Sequence, residues 1–395
     1  MKKIIFYSMP LHGHTNPTLT VARELAKRGN NVIYYSYPAF KEKIESAGLE
    51  YRSYDMKYYF DPILGKDLGA IAKKLMQITE SMAEELLKVA EKDNPNCIAY
   101  DSLNFWGKLI GKSLHTPSVS LCTTFAINNA IGRRYPMLYI PVITKTLFNS
   151  RDYIYAYKLY LRICKKYDLP SEKSANFLLI KDNLNLVFTS SYLQPCSNSF
   201  GKTFKFTGPS IYQRQEKADF LDKLNKNKKT IYISMGTIYN DNASFYSDCI
   251  NMFAKTNYQV IISLGHRLTD KDLKEIPSNI IVKNYVPQLD VLKKVDLFIT
   301  HAGLNSISES LLYGVPMILI PQMYEQVLNA YRVQELGAGI YLKQKQVNPE
   351  NILRTVDKVI NTKSYYGNAN KIKKTLVDAG GYQKAAEEIL QFIGK

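Results

Sequence analysis

The sequence predicts an α/β protein with two parallel sheets, because short apolar runs alternate with helix-patterned segments twice along the chain. The first alternation begins with the run Lys3 to Ser8, and the second begins afresh after Lys229. With 395 residues the sequence is long enough for two domains of ordinary size. We therefore expect two Rossmann-like halves, each with its own sheet.

The first half opens as a strand, a turn and a helix. Lys3 to Ser8 is the predicted strand, and Asn16 followed by Pro17 is typical of an N-cap and a first helical residue. Gly29 marks the predicted helix end, and Val32 to Tyr35 is the next strand. This βαβ order implies parallel strands.

Similar apolar runs predict the other strands of both halves, separated by helical segments such as 71–92. They are 97–100, 118–122 and 186–189 in the first half, and 231–234, 259–263, 280–282, 296–300 and 316–320 in the second.

Turn residues and a charged stretch place the domain boundary near residue 210. We predict an N-terminal domain over 1–210, a linker over 211–228 and a C-terminal domain over 229–376, with a final helical segment over 377–395.

Composition excludes wholesale disorder, since 46% of the residues are hydrophobic and 22% are charged.

The 52 Lys and Arg against 35 Asp and Glu give a net charge of +17. That excess fits a nucleic acid, a membrane surface, an anionic ligand or a general bias toward Lys, and does not choose among them. Because no nucleic-acid module accompanies it, we expect no nucleic-acid partner, while peripheral membrane contact stays open.

The five cysteines are odd in number, scattered and never in C-x-x-C spacing, so they predict neither a disulfide framework nor a zinc site.

The apolar N-terminal run is interrupted by Pro10, His12 and His14 before it reaches signal-peptide length. No run is long enough to span a membrane. We expect a cytoplasmic protein that binds no metal.

Two residues at the predicted carboxyl edge of the first sheet have the chemistry of a proton-transfer pair. His14 lies in the loop after the first strand, where ligands of open α/β sheets bind, and a histidine suits proton transfer near neutral pH. Asp101 follows another strand to the same edge and would orient that base. The alternatives are a helix cap for Asp101 and a packing or capping role for His12 or His14.

In the second half, the segment His301-Ala302-Gly303 joins a strand to a helix. A glycine there permits close backbone approach, and the exposed N–H groups of the helix start attract an anion such as a pyrophosphate. Ser306 and Glu309 also match a capping box, which would only start the helix. Further on, Glu325 and Gln326 follow a strand, where they would either hold sugar hydroxyls or be exposed first-turn residues.

Together these residues resemble the UDP-dependent glycosyltransferases of the two-domain GT-B fold, most closely the bacterial macrolide-type branch. The resemblance covers nearly the whole chain. It is carried by Asn284-Tyr285-Val286-Pro287-Gln288, His301-Ala302-Gly303-Leu304-Asn305-Ser306, Glu309, Gly314-Val315-Pro316, Glu325-Gln326 and Asn329. It implies two domains whose sheets face across a cleft, an acceptor bound by the N-terminal one, and a final helix that packs back on that domain.

The resemblance also implies residue roles. His14 would be the general base, Asp101 its partner, and the transfer would invert the anomeric carbon. Tyr285 and Val286 would meet the uracil, Gln288 and Glu309 the ribose, and Ser234, Gly236, Thr237, His301, Gly303, Asn305 and Ser306 the diphosphate.

Glu325 and Gln326 would contact the donor sugar. The family commonly has Trp at position 285 and Asp at position 325, where this sequence has Tyr and Glu. UDP-glucose is the first expected donor, and UDP-N-acetylglucosamine or another hexose donor the second. The UDP-sugar is a co-substrate, and no further cofactor is expected.

Aromatic stretches of the first half predict the acceptor class. Residues 133–170 are rich in Tyr, and 51–60 also carry several aromatic rings. They suggest either a pocket for a lipophilic hydroxylated molecule or ordinary core packing. The alternatives are a glycolipid-forming enzyme at a membrane surface and a nucleotide-sugar-binding protein without transferase activity. The sequence does not indicate an oligomeric state.

Overall fold

The chain divides into two units. A computed structural model describes residues 1–55, 67–138, 144, 150–173, 176–179, 181–212, 218–236, 243–265, 268, 273 and 275–394. The first unit is Met1–Ile211 with Ala379–Lys395, and the second is Tyr212–Asp378. Each is a Rossmann-like α/β unit around one parallel sheet. The C-terminal segment thus belongs to the same unit as the N-terminus.

The first sheet has the order β3-β2-β1-β4-β5-β6-β7, and the second β10-β9-β8-β11-β12-β13. The strands of the first sheet are β1 (Lys3–Tyr7), β2 (Asn31–Ser36), β3 (Glu50–Ser53), β4 (Cys97–Asp101), β5 (Ser118–Cys122), β6 (Leu184–Val187) and β7 (Phe204–Phe206). Those of the second are β8 (Thr230–Ser234), β9 (Gln259–Ser263), β10 (Ile280–Lys283), β11 (Leu297–Thr300), β12 (Met317–Leu319) and β13 (Gly339–Tyr341).

Helices connect the strands within each unit. They are α1 (His12–Lys27), α2 (Lys41–Glu45), α3 (Leu68–Asp93), α4 (Phe105–Ser113), α5 (Asn129–Arg134), α6 (Ser150–Lys166), α7 (Ala243–Phe253), α8 (Gln288–Leu292), α9 (Leu304–Leu312), α10 (Tyr324–Glu335), α11 (Pro349–Asn361), α12 (Lys363–Asp378) and α13 (Gly381–Ile393). None of the helices in the described ranges is long and apolar enough to cross a membrane.

The inner strands are buried on both faces, which explains their continuous apolar sequences. In β1, Ile5 and Tyr7 belong to a core that also contains residues of α3 and α4. Ile4 and Phe6 belong to a second core on the opposite face, with residues of α1 and α13. The predicted strands are confirmed, including β10, which lies at an edge of the second sheet. Strand β6 spans Leu184–Val187 rather than the predicted 186–189.

The three strands without a prediction, β3, β7 and β13, all lie at sheet edges. An edge strand faces solvent along one side, so it needs no continuous apolar run. In β3, for example, Glu50 and Ser53 are exposed and the two residues between them are partly buried.

The prediction that α1 starts around Asn16 and Pro17 is wrong. The helix begins at His12, because the Leu11 carbonyl already accepts the N–H groups of His14 and Thr15 at 2.9 and 2.7 Å. Pro17 therefore lies inside the helix, and the residue whose carbonyl would face its ring is Gly13. The predicted end is confirmed, with Gly29 just past the helix at a φ of +82°.

The C-terminal helix α13 packs on the first unit. Its Ala385, Ala386 and Ile389 are fully buried in the core beside α1. The Arg28 guanidinium also donates to the Gln383 carbonyl at 3.2 Å. The last residues of the chain thereby complete one face of the first sheet.

Candidate active site

Three side chains meet at the carboxyl edge of the first sheet. His14 Nδ1 lies 2.8 Å from Asp101 Oδ2, and Thr123 Oγ1 lies 2.7 Å from the same nitrogen. The Thr123 hydroxyl also lies 3.1 Å from Asp101 Oδ2, to which it donates. Asp101 is fully buried, and the His14 side chain is 13% exposed. The structure thus brings the predicted pair together and adds a third member, Thr123, that was not predicted from the sequence.

Sheet topology explains this meeting. Asp101 ends β4, Thr123 follows the last residue of β5, and His14 lies in the first turn of the helix after β1. Because β1 pairs with β4 and β4 pairs with β5, all in parallel, their carboxyl ends lie side by side. Nothing in the sequence around Thr123 signals a partner on another strand.

The contacts define the state of the imidazole. A carboxylate next to Nδ1 favours the tautomer with its proton on Nδ1 and its lone pair on Nε2. The Nδ1–H is then shared between Asp101 and the Thr123 hydroxyl oxygen, while the Thr123 proton points to Asp101. Both neighbours hold the ring in one orientation, and Nε2 is the nitrogen able to accept a proton.

The alternative roles for Asp101 and His12 can be compared with the structure. Helix α4 is capped by Asn104, whose side chain accepts the Gly107 N–H at 2.9 Å, so Asp101 is not its N-cap. Asp101 instead accepts the Leu103 N–H at 2.9 Å through its second oxygen. His12 is exposed, with its ring 5.0 Å from that of Phe40 in an edge arrangement.

A cavity of about 680 Å³ lies in the first unit beside this site. Ser102, Leu103 and Thr124, which directly follow Asp101 and Thr123 in the chain, are part of its wall. Much of the remaining wall is aromatic or aliphatic. It includes Phe105, Phe125, Tyr160, Leu178 and Phe204. This volume and these rings and aliphatic side chains fit a small molecule with an aromatic or aliphatic body.

The Tyr-rich segment supports both predictions made for it. Tyr160 lines the cavity and also packs against Phe177, as Tyr153 and Tyr157 do. Residues 139–143 and 145–149 of this segment, and 56–60 of the other aromatic stretch, lie outside the described residues.

In the second unit, helix α9 begins with a bare N-terminus. Its N-cap is Gly303, which has no side chain to bond the first N–H groups. Ser306 lies in the first turn rather than at the cap, so the capping-box alternative for Ser306 and Glu309 is wrong. The N–H groups of this turn and the positive end of the helix dipole favour an anion, as the sequence analysis expected.

The His301 ring is packed between two glycines. A Cβ on Gly236 would lie 2.7 Å from the ring, and one on Gly303 would lie 2.6 Å from Nε2. Both distances are shorter than real Cβ contacts allow. Gly236, at a φ of +85°, lies two residues after Ser234, the last residue of β8. The two glycines therefore let the ring lie between the β8 and β11 loops.

Burial lowers the pKa of His301 to about 4, while a hydrogen bond with the Ser234 backbone acts in the opposite direction. The ring is therefore neutral near pH 7. It can still donate one N–H to an anion, but it does not supply a full positive charge.

Gln288, on α8, and Glu309, on α9, contact each other through their side chains. Gln288 Nε2 donates to Glu309 Oε2 at 2.5 Å, and the buried Tyr232 hydroxyl donates to Gln288 Oε1 at 3.0 Å. The two residues predicted to hold one ribose are thus brought together. Tyr232, which the sequence analysis missed, fixes the orientation of the Gln288 amide.

The segment before α8 contains a backbone N–H and C=O that form no hydrogen bond between described residues. Val286 is buried at 3% exposure, and no hydrogen bond between described residues involves its backbone N–H or C=O. The neighbouring Tyr285 is 57% exposed. An unused backbone donor and acceptor beside an exposed ring are suited to a planar base.

Glu325 and Gln326 have different surroundings. Glu325 is an exposed first-turn residue of α10, whereas Gln326 is buried. The Gln326 Oε1 accepts the N–H groups of Gln322 and Met323 at 2.9 and 3.1 Å. Gln326 thus caps its own helix.

Two further residues were predicted to hold the diphosphate. Asn305 lies in the first turn of α9, and Thr237 lies outside the described residues.

Comparisons with known proteins support this architecture. Residues 247–389 match the family model of the erythromycin biosynthesis protein CIII-like C-terminal domain. The chain is 32% identical to the uncharacterized UDP-glucosyltransferase YojK of Bacillus subtilis, over 100% of this chain and 98% of that protein. It is 34% identical to the NDP-glycosyltransferase YjiC of the same species, over 100% and 99%. The solved glycotransferase of kitacinnamycin superposes with a TM-score of 0.87 at 25% identity, covering 99% of this chain and 98% of that one.

Two Rossmann-like units of this kind define a glycosyltransferase of the GT-B fold. The chain belongs to the family of macrolide-type UDP-glycosyltransferases, and it is an enzyme that transfers a sugar. The resemblance drawn from the sequence is thereby confirmed.

Proposed function

We propose that the enzyme moves a hexose from a UDP-sugar, UDP-glucose first, to a hydroxyl of a lipophilic small molecule, with inversion at the anomeric carbon. The observation that carries this proposal is the His14, Asp101 and Thr123 cluster beside the cavity with its partly aromatic wall. A protein that only bound nucleotide sugars would need no oriented base.

In the proposed step, His14 Nε2 takes the proton of the acceptor hydroxyl. The hydroxyl oxygen forms a bond to the anomeric carbon, and the bond from that carbon to the diphosphate oxygen breaks. The electron pair leaves with UDP. Asp101 stabilises the resulting imidazolium, which is the role of the carboxylate in related acid–base pairs. Displacement from the opposite side inverts the carbon.

The second unit would hold the leaving group. The N–H groups at the α9 N-terminus and the N–H of the neutral His301 ring would stabilise the negative charge that develops on the departing diphosphate. Ser234, Gly236, Asn305 and Ser306 belong to the same loops and first helical turn, and Thr237 is proposed with them from the sequence. Gln288 and Glu309 would hold the ribose, and Tyr285 and Val286 the uracil.

Glu325 would select the donor sugar, because its exposed carboxylate can accept hydrogen bonds from hydroxyls. Gln326 would contribute mainly by fixing the first turn of α10, since its oxygen is already bonded to two backbone N–H groups. We expect Glu325→Asp to change the ratio of kcat/KM values for UDP-glucose and UDP-N-acetylglucosamine. An unchanged ratio would contradict this assignment.

The test is a mass-spectrometric screen of several UDP-sugars against hydroxylated aglycones and lipid acceptors. Wild type and His12→Ala should add one hexose, whereas His14→Ala should lose about 100-fold or more in rate and still bind UDP. His12 is the matched control, since it lies in the same helical turn but is exposed.

Nuclear magnetic resonance of the product would test inversion. An anomeric configuration equal to that of the donor would contradict the proposed single displacement. Products formed only with lipids would favour the glycolipid-forming alternative. UDP binding without a product from any pair would favour a binding protein.

A further inference from the structure

The cavity beside His14, Asp101 and Thr123, the proposed catalytic cluster, contains an ammonium group in its wall. Lys108 lies on α4 and lines the cavity together with the aromatic residues described above. Among the described residues, no carboxylate lies within 4 Å of its amine, and it takes part in no side-chain hydrogen bond. The group is also largely removed from water, and this burial lowers the pKa of Lys108.

The other charges of the cavity do not neutralise Lys108. Asp182, the fully buried carboxylate of the wall, pairs with Lys112 at 2.8 Å. It also accepts the hydroxyl of Tyr100 at 2.8 Å and that of Ser118 at 2.5 Å. Its acceptor positions are therefore largely occupied.

Two other charged residues belong to the wall. Asp182 and, less strongly, Glu172 raise the pKa of Lys108, but neither carboxylate forms an ion pair with it among the described residues. Lys181 is exposed. The wall thus contains three lysines, Lys108, Lys112 and Lys181, against two carboxylates.

We propose that Lys108 recognises an acidic group of the acceptor, so that the cavity takes an aromatic molecule carrying a carboxylate as well as the hydroxyl that is glycosylated. A partly desolvated ammonium without an ion-pair partner gains more from an anion than one in water, because the cost of removing its hydration is already met in the free protein. The aromatic wall would hold the ring of such a molecule.

The placement of Lys108 agrees with this role. Asp101, Leu103 and Lys108 follow one another from the end of β4 into α4. Leu103 and Lys108 both line the cavity, while Asp101 forms a hydrogen bond with His14. One ligand of aromatic size can therefore contact the wall near the catalytic cluster and the amine about one helical turn further on. The inference rests on the proposed function in taking this cavity as the acceptor site.

The experiment measures binding, so it does not depend on turnover. The probes are 4-hydroxycinnamate and its neutral amide, titrated by calorimetry into the full-length enzyme saturated with UDP. We expect wild type to bind the carboxylate at least about tenfold more tightly than the amide. Lys108→Met should remove this preference by weakening the carboxylate alone, because it keeps most of the side-chain volume and loses the charge.

Lys88→Met is the matched control. It removes the same charge from α3, where Lys88 is 69% exposed, and should keep the preference. Three results would overturn the inference: equal affinities in wild type, a preference that survives in Lys108→Met, or no binding of either probe. If the preference follows Lys108 but no sugar is ever transferred, the proposed function fails and the ligand class stands. If transfer to neutral phenols is efficient and indifferent to Lys108, only the inference fails.

Discussion

The side-chain amide of Asn329 donates a hydrogen bond to the Ala302 carbonyl at 3.0 Å, and Ala302 has a φ of +66°. This left-handed conformation is unfavourable for a residue with a Cβ. Ala302 lies between His301 and Gly303, two residues of the proposed diphosphate site. Asn329, on α10, therefore stabilises the turn that brings β11 into α9.

Replacing Asn329 with Ala should leave the buried Ala302 carbonyl without its partner. We expect the free energy of unfolding to fall by about 1–3 kcal/mol and the Kd for UDP to rise about tenfold. Thermal unfolding and calorimetric titration with UDP would measure both. Asn361→Ala is the control, because that amide also donates to a carbonyl, at 2.8 Å, but is exposed. A normal UDP affinity in Asn329→Ala would show that the turn holds without this bond.

Thr123→Val should slow the reaction while leaving donor binding intact. The change keeps the shape of the side chain but removes the hydroxyl that lies between His14 and Asp101. We expect kcat to fall about tenfold, with little change in KM for the UDP-sugar. Thr123→Ser should keep most of the activity, since it keeps the hydroxyl. If Ser and Val variants were equally slow, packing rather than the hydrogen bonds would explain the loss.

Gly303→Ala should weaken UDP binding through His301. Gly303 has a φ of −64°, which Ala accepts, so the main obstacle is the contact of the new Cβ with the ring. The UDP affinity should drop in the wild-type background but change little when His301→Ala is already present, a coupling that a double-mutant cycle measures. Additive losses would contradict the proposed contact.

Gly236→Ala gives the contrast for that cycle. Gly236 has a φ of +85°, so an alanine there is strained whether or not the ring is present. We expect Gly236→Ala to lower the stability in both backgrounds.

His301 should make the protein less stable in mild acid. Its pKa is lowered from 6.5 to about 4 in the folded state, so the unfolded chain binds the proton more readily. The contribution of His301 is complete above pH 6.5 and is lost as the pH falls toward about 4, by at most about 3 kcal/mol. Urea unfolding of wild type and His301→Gln near pH 7 and near pH 4.5 would show it. The difference between the two proteins should change with pH, and a constant difference would contradict the prediction.

The inner strands, and the alternation of strands and helices in both halves, can be read from the sequence alone. Residues such as Ile4 and Ile5 are buried on opposite faces, so burial demands an apolar run that is visible in one dimension. The edge strand β3 carries no such signal, because part of it is exposed to solvent. The start of α1 was missed because Asn16 and Pro17 match a local cap pattern, while backbone bonds from Leu11 start the helix earlier.

For the site, the sequence determined the residue types and their place at strand ends: His14, Asp101 and the His301 segment. Which of these side chains meet depends on the folding of distant segments onto one sheet edge. Thr123, Tyr232 and Lys108 act on partners or cavities formed by distant segments, so their local sequence carries no mark of a role. A parallel sheet brings such positions together because strands far apart in the chain end at the same edge.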